Sequence, residues 1–172
     1  MTWTRTTKFD RECALVADRH YSRRTVGSHQ FMPPGQTVVL KTSGAIWGWW
    51  RPHPDAGFEA LNGLDGWTCT IFRNEASGIR SSQLVLDAES ALVDAGYGCG
   101  SDGMLTYVWD GKIKSSNPGY CFQCAGWKRI DRSADGRKTL LWKSFAFAGQ
   151  QLMKGPLTWA GVTTSTATAG QP

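Results

Sequence analysis

The stretch Met104–Asp131, MLTYVWDGKIKSSNPGYCFQCAGWKRID, constrains the fold of this chain more than any other. Met104–Trp109 is apolar, aromatic and β-branched over the length of a buried strand. A loop rich in Gly, Ser, Asn and Pro follows, then one brief helix over about Tyr120–Ala125. Gly126-Trp127 leads into a second strand, about Trp127–Asp131. Strand, short helix and strand in such close succession call for a sheet with the helix packed on one face.

The remainder of the chain reads in the same terms. Asp10–Tyr21 (DRECALVADRHY) places Cys13, Ala14, Ala17 and Tyr21 at helical spacing, with Asp10 as N-cap. Thr2–Thr7 suits a short edge strand, and Ser22–Gln36, rich in Gly, Pro, Ser and Arg, reads as a loop. Thr37–Thr42 and Ala45–Arg51 are strand-like runs flanking Ser43-Gly44, a two-residue hairpin signal. Pro52–Gly66 is another loop with one helical turn in it, and Trp67–Arg73 is a strand. Asn74–Arg80 is a turn containing Gly78, and Ser81–Ala95 is a helix with Leu84, Ala88, Ala91 and Leu92 apolar. The final strands, about Trp127–Asp131 and Thr139–Ser144, are joined by the Asp135-Gly136 turn. The predicted order is β-α-β-β-β-α-β-α-β-β, an α/β domain with a mixed central sheet and helices on both faces. Residues 1–149 are assigned to it; 150–172 form a C-terminal extension, expected to be flexible at least from 163, where small polar residues take over.

Composition narrows the function classes. At 172 residues the chain is one domain with material for a real core. No apolar run approaches the roughly 20 residues of a membrane span, and the polar N-terminus is no signal peptide, so the cytoplasm is the expected compartment. Five cysteines, an odd number without framework spacing, argue for reduced thiols. Cys121 and Cys124 stand at i, i+3, but no second such pair accompanies them and the three histidines lie apart, so packing is expected and no metal site. A formal net charge of +5 suits polyanions such as DNA, RNA or the phosphates of CoA. Of nine tryptophans, Trp47, Trp49 and Trp50 sit close together. They fit a core, or, if several of the scattered arginines and lysines share their face, a basic aromatic surface for an everted base.

The strand, short helix and Ala125-Gly126-Trp127 followed by basic residues, within this element order, resemble the C-terminal half of the GNAT superfamily of N-acyltransferases. His20-Tyr21-Ser22 with Arg23-Arg24, then Arg73, Ser81-Ser82, the LTYVWD strand and Ala-Gly-Trp, are similar to the Mom-like group of bacteriophage proteins in that superfamily. That group modifies an amine of a DNA base and so shields the DNA from restriction. The resemblance covers roughly residues 10–145. It implies a GNAT-like fold, an acyltransferase using acetyl-CoA or another acyl-CoA, DNA as substrate, no membrane, and the cytoplasm of an infected bacterial host.

The resemblance also assigns residues. His20 and Tyr21 would lie in the active cleft, Arg73 near cofactor or substrate, and Asp110 at the mouth of the fifth strand. Where the superfamily carries Gln/Arg-x-x-Gly-x-Gly/Ala this chain has SGIRSS, with Gly78 and no second glycine at the matching place. A turn of this kind at a helix N-terminus offers amides to a diphosphate, with Arg73 and Arg80 flanking and Ser81 or Ser82 capping or donating; an ordinary capped helix is the alternative. In the Mom-like group an aspartate directly follows a Ser-Tyr-Ala stretch. Here Trp109 stands in that place and Asp110 comes one later, on the opposite face of a strand.

Acyl transfer to an amine needs a path for the amine proton and a donor for the leaving thiolate. His20 suits the first task, Tyr21 or Tyr107 the second, and Asp110 or Glu75 would accept an N–H from a weakly nucleophilic base amine. His20 also fits a helix-end histidine at the C-terminal dipole, and Tyr21 fits core packing. Arg23, Arg24, Trp49 and Trp50 are the expected substrate contacts. A conventional acetyl-CoA-dependent N-acetyltransferase for a small-molecule or protein amine, and a non-catalytic GNAT-fold binding module, are the rival readings.

Overall fold

A computed structural model describes residues 3–53, 63–97 and 102–145. The C-terminal extension, most of the loop after Pro52 and Cys99 lie outside the described residues. Along the chain run β1 (Thr4–Thr6), α1 (Arg11–Ala17), β2 (Gln36–Thr42), β3 (Ala45–Arg51), β4 (Trp67–Asn74) and α2 (Ser81–Asp94). Then come β5 (Met104–Trp109), a 3-10 turn over Asp110–Lys112, α3 (Tyr120–Cys124), β6 (Lys128–Arg132) and β7 (Lys138–Lys143). The strands form one mixed sheet in the order β1-β2-β3-β4-β5-β7-β6. Among the described strands only β4 and β5 are parallel neighbours, as a crossover through α2 requires.

Local chemistry explains the elements. Asp10 caps α1, its Oδ1 accepting the amides of Glu12 (2.9 Å) and Cys13 (3.1 Å). Lys41 and the Thr6 hydroxyl hold the Asp10 carboxyl far below the usual carboxylate range, and Lys41 ties the cap to β2. The β2–β3 hairpin closes at Ser43-Gly44, with Thr42 opposite Ala45. Gly44 has φ +82, and a Cβ there would stand 3.1 Å from the backbone of Ala76, so the turn requires glycine.

Two apolar clusters cover the two faces of the sheet. Trp47, Trp49, Trp67, Leu84, Val85, Ala88, Leu92, Phe122 and Trp127 pack under α2 and α3. Cys13, Ala17, Phe31, Met32, Ile46, Trp50 and Ile71 pack under α1 and the segment that follows it. β3 is buried over Ala45–Trp50 because it lies inside the sheet with both faces covered. The expected exposed tryptophan surface is therefore core. Trp49 is fully buried and donates to the Ala88 carbonyl (3.3 Å), and Trp50 donates to the Pro34 carbonyl (2.8 Å).

The Ala125-Gly126-Trp127 motif is a structural joint. Gly126 turns the chain out of α3 at φ +88. Trp127 Nε1 donates to Glu89 Oε1 of α2 (2.7 Å), while Lys143 Nζ of β7 donates to Glu89 Oε2 (2.5 Å) and to the Ala125 carbonyl (2.8 Å). One buried carboxylate thus joins α2, the end of α3 and β7.

Helix α1 ends earlier than its apolar spacing implies. Asp18 is the C-cap, and its carboxylate takes Arg23 Nε (2.7 Å) and the Gly27 amide (2.9 Å). Those bonds pull the chain out of the helix before His20, which begins a turn. His20 is thus not a helix-end residue facing the dipole, and Tyr21 follows it off the helix.

Candidate functional site where two parallel strands diverge

β4 and β5 are paired only through Trp67–Cys69 and Met104–Thr106. β4 then continues to Asn74 and β5 to Trp109 without pairing to each other. The segment after α1 crosses this divergence, and a cleft of about 790 Å³ opens there. One wall is Thr68–Ile71 of β4, another is Tyr107 and Trp109 of β5. Tyr21–Thr25 and Gln30–Pro34 form the side contributed by the segment after α1, and Lys112 and Lys138 stand at the β5 end.

His20 and Tyr21 touch opposite strands of the divergence. The His20 ring lies against the backbone of Phe72 in β4, and the Tyr21 hydroxyl against the backbone of Trp109 in β5. Their rings pack at 4.2 Å between centroids. Tyr21 lines the cleft, whereas His20 lies behind it and reaches it through Ser22. His20 Nδ1 accepts the Ser22 amide (3.2 Å), so its proton is on Nε2, and Ser22 Oγ lies 2.7 Å from the same Nδ1. A hydroxyl facing the cleft is thereby held on a neutral imidazole.

Burial, then the positive charge of Arg73, lowers the His20 pKa to about 4. The unfolded chain binds a proton at this ring near pH 6.5 and the folded chain does not until about pH 4, so stability falls as pH drops through that window and is level above it. The loss approaches roughly 3 kcal/mol at its acid end. Urea titrations of wild type and His20→Gln at pH 7.5 and pH 4.5 measure it. The variant is expected to lose less stability on acidification than the wild type by about 2 kcal/mol. Equal losses in both proteins contradict the assignment.

Tyr21 and Tyr107 are held protonated. Burial raises the pKa of Tyr21, opposed by the Trp109 backbone and reinforced by Cys69, Cys121 and Asp110. Burial and the negative charge of Asp131 raise that of Tyr107.

Several expected site residues are engaged elsewhere. Arg73 donates to Glu75 Oε1 (2.5 Å) and to the Arg19 carbonyl (2.6 Å), so it splints α1 to the end of β4 instead of facing the cleft. Glu75 is held by Arg19 and Arg73, which lower its pKa to about 2. Asp110 opens the 3-10 turn and accepts from Arg132 (2.9 Å) and Thr139 (3.0 Å); its Oδ1 is buried without a partner, and it does not line the cleft. Arg23 lines the cleft, but its guanidinium is spent on Asp18 and on the carbonyls of Ser28 and Gln30. Trp49 and Trp50, buried in the core, do not line it. Arg24 is exposed and lines the cleft. Lys138 was not singled out from sequence, Lys112 was only one of the scattered cations, and Ser22 and Trp109 were noted as parts of motifs without a role of their own.

The charge of the cleft is one-sided. Arg23, Arg24, Lys112 and Lys138 line it with the rings of Tyr21, Phe31, Tyr107 and Trp109, and no carboxylate does among the described residues. Among the described residues Arg24, Lys112 and Lys138 have no ion-pair partner.

On the far side of β4, Asn74 shapes the turn into α2. Its Nδ2 donates to the Ile79 carbonyl and Ser81 Oγ (3.1 Å each), and its Oδ1 accepts the Ala76 amide (2.9 Å). Gly78 has φ +77 with open space around it, and Arg80, the N-cap, makes no side-chain cap bond. The first-turn amides are not consumed by a capping side chain, a donor set that fits a diphosphate. Cys121 and Cys124 are reduced, and no cluster of three or more potential metal ligands occurs among the described residues. No described helix is long and apolar enough to cross a membrane. Comparison with family models, with curated proteins and with solved structures returned no match.

Proposed function

We propose that this protein is a GNAT-fold enzyme of the Mom-like kind, which transfers an acyl group from an acyl-CoA to an amine of a DNA base and so protects the DNA from restriction. The observation that carries this reading is the cleft where β4 and β5 diverge, lined among the described residues by Arg24, Lys112 and Lys138 without ion-pair partners, by four aromatic rings and by no carboxylate. Cations without acidic partners favour a polyanion, and ring faces among them favour a base. An acidic substrate without rings would leave the aromatic wall unexplained, and a cationic amine such as a lysine or polyamine would be repelled.

The chain's own residues supply the remaining functions. Gly78, Arg80, Ser81 and Ser82 would hold the diphosphate of the donor, which brings an activated carbonyl and a thiolate leaving group. Arg73, committed to Glu75 and Arg19, leaves that set. Tyr21 holds a proton at Oη that a departing thiolate can take. Ser22 Oγ, backed by His20 Nδ1, takes the proton that the base amine must lose. An imidazole with its pKa near 4 is a weak base, but a ring amine becomes strongly acidic once its lone pair is committed to a new bond. Asp110 stands outside the cleft and contributes the negative charge that helps to keep Tyr21 protonated.

The purified protein with acetyl-CoA tests this through release of free CoA thiol. Release is expected to require an oligonucleotide and to weaken as salt rises, because phosphate contacts are screened. Equal release with a small amine and no nucleic acid would favour a conventional N-acetyltransferase. Donor affinity with no release on any acceptor would favour a binding module.

A further inference from the structure

Trp109, with Trp142 of β7, escapes the burial of Trp47, Trp49, Trp50 and Trp67 in the sheet. It is the last residue of β5, half-buried, and it forms part of the cleft wall. Lys112 Nζ and Lys138 Nζ each lie 5.5 Å from its ring centroid. Among the described residues neither lysine forms an ion pair and no carboxylate lines the cleft, although Asp135 is near enough to feel the charge of Lys138. Both ammonium groups lie over the ring, on flexible side chains that gain little from it at an accessible site and can swing aside to meet an anion. Arg24, also unpartnered, lines the same cleft from the segment after α1.

We infer that Trp109, Lys112 and Lys138 form a nucleotide subsite for single-stranded DNA, the indole stacking on an unpaired base and the lysines binding its flanking phosphates. This rests on the proposed DNA substrate and adds which form of DNA is held and by which residues. An indole reads a base through its face, and within a duplex each face is already covered by the neighbouring base pairs. A cleft of about 790 Å³ has the dimensions of a small-molecule site and cannot take a double helix some 20 Å wide. Target bases must therefore leave the stack, and a strand already single loses nothing in doing so. No base edge needs to be read here, so the subsite predicts little sequence preference of its own.

Fluorescence anisotropy with a labelled single-stranded 12-mer and a hairpin duplex of the same composition, across a potassium chloride series, tests the subsite. The wild type is expected to bind the single strand at least tenfold more tightly than the duplex. Trp109→Ala is expected to lose about tenfold or more on the single strand and little on the duplex, and Trp109→Phe to recover most of the loss, since a phenyl ring still stacks. Lys112→Gln with Lys138→Gln should flatten the salt dependence for the single strand by about 1.4 in slope, the contribution of two phosphate contacts. Thermal melting of each variant separates lost binding from lost folding. Equal affinity for both DNA forms, or a folded Trp109→Ala that binds the single strand like wild type, overturns the subsite. Base acylation persisting beside that result would leave the proposed activity standing; strong Trp109-dependent binding without acylation would retain the subsite and reject the activity.

Discussion

Lys143→Met is expected to destabilise the domain by ~3 kcal/mol or more, the largest loss of stability predicted for a single change outside the tryptophan core. Glu89 is buried, with Trp127 Nε1 on one oxygen and Lys143 Nζ on the other. Removing the ammonium leaves a buried carboxylate with one neutral donor and strips the Ala125 carbonyl of its partner. Burial already raises the Glu89 pKa against the opposing pull of Lys143 and Trp127, so without Lys143 it rises further. The folded variant then binds a proton more readily than its unfolded chain, and its deficit shrinks as pH falls through the carboxylate range. Urea denaturation of wild type, Lys143→Met and Lys143→Met with Glu89→Gln measures this. The double variant should recover part of the loss, because a neutral amide is cheaper to bury than an unpaired charge. A single variant within 1 kcal/mol of wild type would show that the joint contributes little.

Tyr21→Phe is expected to lower acyl transfer about 10²- to 10⁴-fold, the range for loss of a positioned proton donor. The ring should keep its place against His20, so the Michaelis constant for DNA is expected to change little. A fall in turnover without loss of DNA binding is the pattern that separates proton donation from packing. Wild-type turnover in a folded Tyr21→Phe protein would remove the tyrosine from the mechanism.

Much of the framework was written in local pattern. The Asp10 cap, the Ser43-Gly44 hairpin, α2, β5 and the short α3 all fall within two residues of their expected bounds, because each has a local cause. The limits of α1 were less legible. They depend on Asp18 meeting Arg23 and Gly27, a contact that leaves no helical or strand period. Trp49 and Trp50 could be read as core or surface, since an unbroken apolar strand looks the same in either setting until both its faces are known to be covered.

The candidate site was half legible. His20-Tyr21 stood out as a short polar-aromatic motif and does sit at the strand divergence, with Tyr21 in the cleft and His20 behind it. Arg73 and Asp110 looked free in one dimension but are committed by partners distant in sequence, Arg19 and Glu75 for the first, Arg132 and Thr139 for the second. Lys112 and Lys138 are ordinary loop and strand-end lysines until the fold sets both beside Trp109. That no carboxylate among the described residues lines the cleft is a property of the three-dimensional wall, not of any segment.

Mass spectrometry of nucleosides from the DNA of bacteria expressing the protein, compared with the Tyr21→Phe variant, tests the central claim most directly. The expected result is a new nucleoside whose added mass is that of an acyl group on a base amine, present with wild type and strongly reduced with the variant. Unmodified nucleosides from cells that contain folded wild-type protein and a supply of acyl-CoA would contradict it.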